Sequence, residues 1–395
     1  MDPFAKLPTE IICHILDSCC DFTSLEGLQQ ISPRMKEAFS GWFKNITETV
    51  LRNCSLTSPG LHRYFTFLAS ILSRSFTPQA LLEELASWDH RPRRRIICLS
   101  TTHSLAAVQQ TVNIAAKIHV TACACLQHFM SRLESAEPRR PMASGVNVVD
   151  WVNGGLPPPK GGELIQFDVD PPSWIETYRT HRALWKLELF HQIHNAATNR
   201  WLWSTCDLNN FTKQYLKWCQ CREGIEELPT ISECVVDLCS SKPTILSHLA
   251  SYLVAIPSPT DLTVQACWPL PNIQNTRVDE KWRRSPKFRN CRNPMLRYFN
   301  VLRVTEEGRS HHALWTANFK AFRRLGIPLW DRWRLYQMKL VGQSRSVLSP
   351  RGNLVGGGSE RTEWSHGIVA YVWFSLAEEG DLSVQYIKNE DWRRQ

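Results

Sequence analysis

The chain has 395 residues and a mass of 45.5 kDa, enough for two or three domains or for one small module followed by a large body. Hydrophobic residues make up 43% and charged residues 21%, which is ordinary globular usage and supplies a sizeable core. The net charge of +9 is mildly basic: it is compatible with nucleic acid or an acidic protein partner and compels neither. No stretch has the length of uncharged apolar sequence that a membrane span needs. The nearest, Val112 to Met130, is interrupted by Lys117, His119 and His128 and reads as a buried helix. The 16 tryptophans point to dense aromatic packing, an interaction surface, or both. The 14 cysteines include Cys19-Cys20 and two C-x-C pairs but no C-x-x-C, and no basic, then apolar leader opens the chain. Reduced thiols in a cytoplasmic or nuclear protein, not a secreted one, are therefore expected.

In chain order, Pro8 sits at the first turn of a helical pattern, and Ile11, Ile12, Ile15, Leu16 and Cys19 carry its apolar face, with a stop near Cys20. Glu10 suits the positive end of the helix dipole. Thr23 is the expected N-cap of a second helix carrying Leu25, Leu28 and Ile31. Ser32 can cap a third, with Pro33 at its first position and Met35, Ala38, Phe39, Trp42 and Phe43 on its apolar face. Helices this short cannot bury all these side chains among themselves, so part of the surface must meet the body or a partner.

The run Leu7-Pro8-Thr9-Glu10-Ile11-Ile12-Cys13-His14-Ile15-Leu16, the polar break Asp21 to Ser24, the second helix with Leu25, Leu28 and Ile31, and the Ser32-Pro33-Arg34 junction together resemble the F-box. The junction looks most like F-box proteins of filamentous fungi, although Met35 stands where an aromatic is often found. The resemblance implies docking on a Skp-family adaptor by a helix-in-groove mode, and through it on a cullin–RING ubiquitin ligase. It makes Leu7, Pro8, Ile11, Ile12, Ile15, Leu16, Leu25, Leu28 and Ile31 the candidate adaptor-binding residues, some of which must instead hold the helices together. The rest of the chain would hold a protein substrate, making this a non-catalytic component with no cofactor.

Residues 46 to 90 should continue as helix, with a new start at Thr77-Pro78, and Arg91-Pro92-Arg93-Arg94-Arg95 reads as a solvated basic run. Ser104 to Leu133 should be one long helix or two short ones. Residues 135 to 162, rich in Pro and Gly, read as a linker or long loop. A helical block is expected over Trp174 to Cys221 and another over Ile231 to Ile256, broken at Lys242-Pro243. Lys281 to Arg297 interleaves basic and aromatic residues. An exposed loop is the simpler reading, with single-stranded nucleic acid as the functional alternative. Arg323 to Leu335 resembles a segment near the end of fungal F-box-like proteins and reads as a packed Trp330 with an Asp–Arg pair. Gly352 to Gly358 reads as a flexible loop and Ile368 to Phe374 as a short strand.

Catalytic and metal signatures are poor. His191-Gln192-Ile193-His194 lacks the Glu of a zincin, the spacings of Cys206, Cys219, Cys221, Cys234 and Cys239 match no standard zinc site, and no phosphate loop or nucleophile elbow occurs. No leucine-rich, WD or kelch repeat is present either. The expected architecture is mainly α: an F-box at 1–45, a helical region at 46–134, a linker at 135–162 and an irregular helical body at 163–395. The leading expectation is a substrate receptor of a Skp–cullin–F-box ligase. The alternatives are a basic nucleic-acid-associated protein and an F-box protein acting outside a ligase, with no membrane partner in any of them.

Overall fold

The structure, a computed structural model, describes residues 2–90, 99, 103–136, 139–140, 163–165, 171–220, 226–239, 253–258, 261–262, 320–338 and 340. These residues are mainly α-helical. The expected basic run at 91–95, most of the linker, the 281–297 segment, the glycine loop at 352–358 and the strand at 368–374 lie outside the described residues. Two compact units are drawn from the chain. The first takes in Met1–Leu126, Thr177–Cys221 and Ile231–Ile273, and the second takes in Gln127–Glu176, Arg222–Thr230 and Gln274–Gln395.

The first unit opens with α1 (Thr9–Asp17), α2 (Phe22–Ile31) and α3 (Pro33–Asn53). Pro8 lies just outside α1 as its N-cap instead of in its first turn, and its carbonyl accepts from the N–H groups of Ile11 at 3.1 Å and Ile12 at 3.2 Å. α1 stops at Asp17, short of Cys20, where the Ser18 hydroxyl takes the His14 carbonyl at 2.7 Å. The N-cap of α2 is Asp21 and not Thr23. Its carboxylate accepts from the Ser24 N–H at 2.7 Å, and a charged acceptor facing the positive end of a helix outcompetes a hydroxyl. Ser32 caps α3 as its Ser-Pro signature predicts, accepting from Met35 N–H at 3.1 Å with Pro33 in the first turn. α3 runs across position 45 to Asn53, because Ile46, Val50 and Leu51 continue its buried stripe and no Pro or Gly stops it. Its backbone leaves helical geometry only at Trp42 (φ −125°, ψ 19°), next to Gly41.

A wide turn at Thr57–Leu61 follows, then α4 (His62–Ser73), α5 (Pro78–His90) and α6 (Leu105–Glu134), the last as one long helix. α7 (Trp174–Asn199) and α8 (Thr205–Gln220) fill the expected Trp174–Cys221 block but break at 200–204. α1 and α2 pack on α3, and α5 packs on α8. Trp88 and Trp218 belong to a ring network here. Phe22 stacks on Phe65 at 4.8 Å, Tyr64 meets Trp88 at 5.0 Å, Trp88 meets Trp218 at 5.6 Å, and Tyr215 joins Trp218 at 5.4 Å and Phe190 at 5.3 Å. α9 (Glu227–Leu238) starts before the expected Ile231 and ends well before Ile256, and residues 253–258 are not helical. Pro257 disfavours helix at the residue before it.

In the second unit the expected linker and the start of the expected helical body hold a short antiparallel pair. Arg139–Arg140 (β1) lies against Glu163–Leu164 (β2), with Arg139 opposite Leu164. α10 (Lys320–Arg324) ends at Gly326 (φ 68°), where a Cβ would fall 2.8 Å from the Phe129 ring. Trp330, fully buried, donates to the Leu325 carbonyl at 2.7 Å and meets Phe129 edge-on at 6.2 Å. In α11 (Arg332–Gln337), Arg334 pairs with Glu176 at 2.8 Å and not with the Asp331 carboxylate, which instead accepts the Arg334 backbone N–H at 2.8 Å. The segment thus contains a packed Trp, a helix cap and, at Arg334, an ion pair with the distant Glu176.

Candidate functional site

The nine residues that the sequence singles out divide by burial. Ile12, Leu16 and Leu25 are fully buried and join Phe22, Met35 and Phe39 in the core of the N-terminal helices. Leu7, Ile15 and Leu28 are half-buried, Pro8 is exposed, and Ile11 and Ile31 keep 47% and 58% of their surface. On α1, Pro8, Ile11 and Ile15 follow a three-then-four spacing and so share one outward stripe. Leu28 and Ile31 do the same on α2. Scattered exposed apolar residues are normal on a protein surface, but a stripe of them on each of two helices that pack on α3 suits an apolar partner. Trp42, 55% exposed at the irregular point of α3, adds a large ring that helical periodicity assigns to the interior. Only the preceding glycine signals the departure.

The same helices are held firmly from behind. Asp2 accepts from the Phe4 N–H at 2.9 Å and from the Ser32 hydroxyl at 2.9 Å, so the chain start is tied to the cap of α3. The Phe4 N–H, opposed by desolvation and helped by Ser32 and Arg34, holds the Asp2 carboxyl below its ordinary pKa. Burial, followed by the charge of Asp21, pushes the Cys19 thiol up to about 11, so it packs as a neutral group. The stack of Phe22 on Phe65 and the contact of Phe65 with Trp185 at 6.3 Å fasten this segment to the rest of its unit.

Other chemistry-bearing groups fit structural roles. His181 Nδ1 donates to the Thr177 carbonyl at 2.8 Å, which leaves Nε2 to accept from His119 Nδ1 at 3.3 Å, while Cys123 Sγ faces His119 Nε2 at 3.8 Å. This is a directed chain of donors and acceptors. Burial, then His119, lowers the His181 pKa to about 3 despite the Thr177 carbonyl, keeping that ring neutral. No sequence pattern announces this pair, whose members lie on α6 and α7. Of the cysteines weighed for zinc, Cys219 and Cys234 are buried, Cys206 is exposed, and Cys221 lies outside the described residues. Burial raises Cys219 to about 11, against the pull of Lys186 and Tyr215. Among the described residues, no group of three or more His, Cys, Asp or Glu side chains is placed to hold a metal ion, and no helix is long and apolar enough to cross a membrane.

Comparison of the chain with protein-family models, with curated proteins and with solved structures finds no match.

Proposed function

We propose that the chain is an F-box protein: a non-catalytic substrate receptor that docks on a Skp-family adaptor through the outward stripes of α1 and α2 and presents a protein substrate to a cullin–RING ubiquitin ligase. The reading rests on the F-box-like order of residues from Leu7 to Arg34. The observation that carries it is the division of that motif. Ile12, Leu16 and Leu25 are spent on internal packing, while Ile11 and Ile31 stay about half exposed on helices held firmly from behind. Covering the exposed half of each isoleucine is worth about 1 kcal/mol, and more where the groove is tight. A preformed apolar face also loses little conformational entropy on docking.

The test is co-purification of the full chain with a Skp-family adaptor, beside an Ile11→Asp/Ile31→Asp variant. Both substituted residues are exposed, so the helical circular dichroism signal should survive. Capture of the intact chain and loss of capture in the variant is the expected result. Failure of the intact chain to capture adaptor refutes the docking role. Equal capture of both forms refutes the assignment of this face.

A further inference from the structure

Among the described residues, Leu202 alone of the non-glycines has a left-handed backbone, with φ 52°. It sits where α7 unwinds. The N–H groups of Arg200 and Trp201 both reach the Ala196 carbonyl, at 2.9 and 2.7 Å, and the Trp203 N–H reaches Ala197 at 2.9 Å. A left-handed residue that ends a helix is usually glycine, because a Cβ crowds the adjacent backbone. The neighbours of Leu202 turn inward. Trp203 Nε1 donates to the Phe76 carbonyl at 3.0 Å, and Trp201 packs against Phe76 at 5.6 Å and Trp203 at 5.3 Å. Leu202 gains nothing comparable, since 79% of its surface is exposed. A glycine would make this turn with less strain, and the leucine side chain that causes the strain hardly packs within the chain. Strain kept without a packing return is characteristic of surfaces that act on something else.

The surroundings give the partner a charge. The Arg74 guanidinium lies 4.4 Å over the Phe76 ring, and that of Arg200 lies 5.6 Å from Trp201. Arg200 also donates to the carbonyls of Leu72 at 2.8 Å, Ile71, and Arg74 at 3.2 Å, which fixes its position. The nearby Asp207 accepts from the Ser204 hydroxyl at 2.7 Å at the start of α8. The result is an aliphatic peg on an aromatic shoulder with two arginines beside it. We infer that Leu202, Arg74 and Arg200 form a docking site for an acidic segment of a partner protein that carries an apolar residue. Single-stranded nucleic acid suits the patch less well. A base needs an open ring face, whereas Phe76 is covered by Arg74, the two tryptophans pack on each other, and the outermost group is a leucine. The site uses none of the N-terminal residues and does not depend on the adaptor reading.

Fluorescence anisotropy tests it with the full chain. The probes are short labelled peptides in which Asp and Glu flank one Leu, Ile or Phe, beside peptides with Lys and Arg in their place and an oligouridylate. The intact chain should bind the acidic probes in preference to both others. Leu202→Gly should weaken that binding about tenfold while its melting temperature holds or rises, because the turn is relieved as the peg is lost. Leu202→Asn, which tolerates the left-handed turn but is polar, should behave alike, and Arg74→Gln should weaken binding and flatten its salt dependence. Unchanged binding by Leu202→Gly, no binding of the acidic probes to the intact chain, or preference for oligouridylate would each overturn the proposal.

Discussion

Replacing Arg334 by methionine should free α11 from the segment that opens α7. Glu176 is fully buried and accepts from the N–H groups of Ser173 at 2.8 Å and Asp331 at 3.0 Å, and from Arg334 Nε at 2.8 Å and Nη2 at 3.1 Å. Burial alone pushes its pKa up, but the Arg334 charge and hydrogen bonds, with the two backbone donors, outweigh it and hold the carboxyl below its ordinary value. Methionine keeps the length of the side chain beside Trp330 but removes the Arg334 cation from Glu176, a change worth about 3–5 kcal/mol. Such a loss should speed amide exchange in residues 320–338 about a hundredfold or more wherever opening this segment limits exchange. The pH dependence should weaken. In the intact protein the depressed pKa means that Glu176 stabilises above the ordinary carboxyl range and loses this contribution as pH falls through its folded value. In Arg334→Met the Ser173 and Asp331 N–H groups still oppose burial but the Arg334 charge is gone, so the pKa rises and the stabilisation above the carboxyl range shrinks. Asp331 titrates in the same cluster, so both forms should carry Asp331→Asn. Adding Glu176→Gln to Arg334→Met should recover part of the loss, because the stranded charge is gone and the amide oxygen keeps one of the two backbone donors, which reach different carboxylate oxygens. A loss below about 1 kcal/mol, or no recovery with Gln, would refute the argument, since a buried pair broken on one side must cost more than a surface pair.

Other substitutions test separate parts of the fold. Burial, then the charge of Glu176, raises the Asp331 pKa to about 6. A raised acid stabilises the folded state below its unfolded value of 3.8 and loses this as pH rises through about 6. Asp331→Asn should therefore remove a decline in stability between those values, measured by denaturant titration at several pH values. Ser32→Ala should lower the melting temperature by removing a cap worth about 1 kcal/mol and one of the donors to Asp2. Gly326→Ala should cost about 3 kcal/mol, because the left-handed turn disfavours a Cβ and the new atom would lie 2.8 Å from the Phe129 ring and 3.0 Å from that of Trp330. Exchange protection around 322–330 would report it.

What was legible in the sequence follows the range of each interaction. The start signals at Ser32-Pro33 and Thr77-Pro78 act within one turn, and both place a helix where expected. Asp21 against Thr23 was a contest between neighbouring caps, settled by charge that a pattern search does not weigh. The pairing of Arg334 with Glu176 spans a sequence separation of 158, and that of His119 with His181 spans 62, so no local period carries either. The candidate docking face fell between these cases. Periodicity marked α1 as apolar at Ile11, Ile12, Ile15 and Leu16. Adjacent helical positions differ by about 100°, so Ile12 and Leu16 line one stripe while Ile11 and Ile15 line the next. Which stripe turns inward is set by α3 packing against α1, and that information lies in other residues. Trp42 was misplaced for a related reason, since its expected inward direction assumed helical geometry that the backbone abandons there.

That division also determines what kind of experiment bears on adaptor docking. A charge at Leu16 or Leu25 would be driven into a closed core, so loss of binding would follow from loss of the helices whether or not those residues ever touch a partner. A charge at Ile11 or Ile31 meets water in the free protein and is buried only if the face is used, so its cost is confined to the complex. The experiment also needs the chain beyond position 45. α3 continues to Asn53, and the Phe22 ring that closes the back of α2 rests on Phe65 in α4. An isolated N-terminal fragment would expose Phe22 and cut α3 before Val50 and Leu51, turning a firmly held face into one that must be ordered on binding. Weak capture by such a fragment would reflect that added cost, so only the full chain isolates the contribution of the exposed stripe.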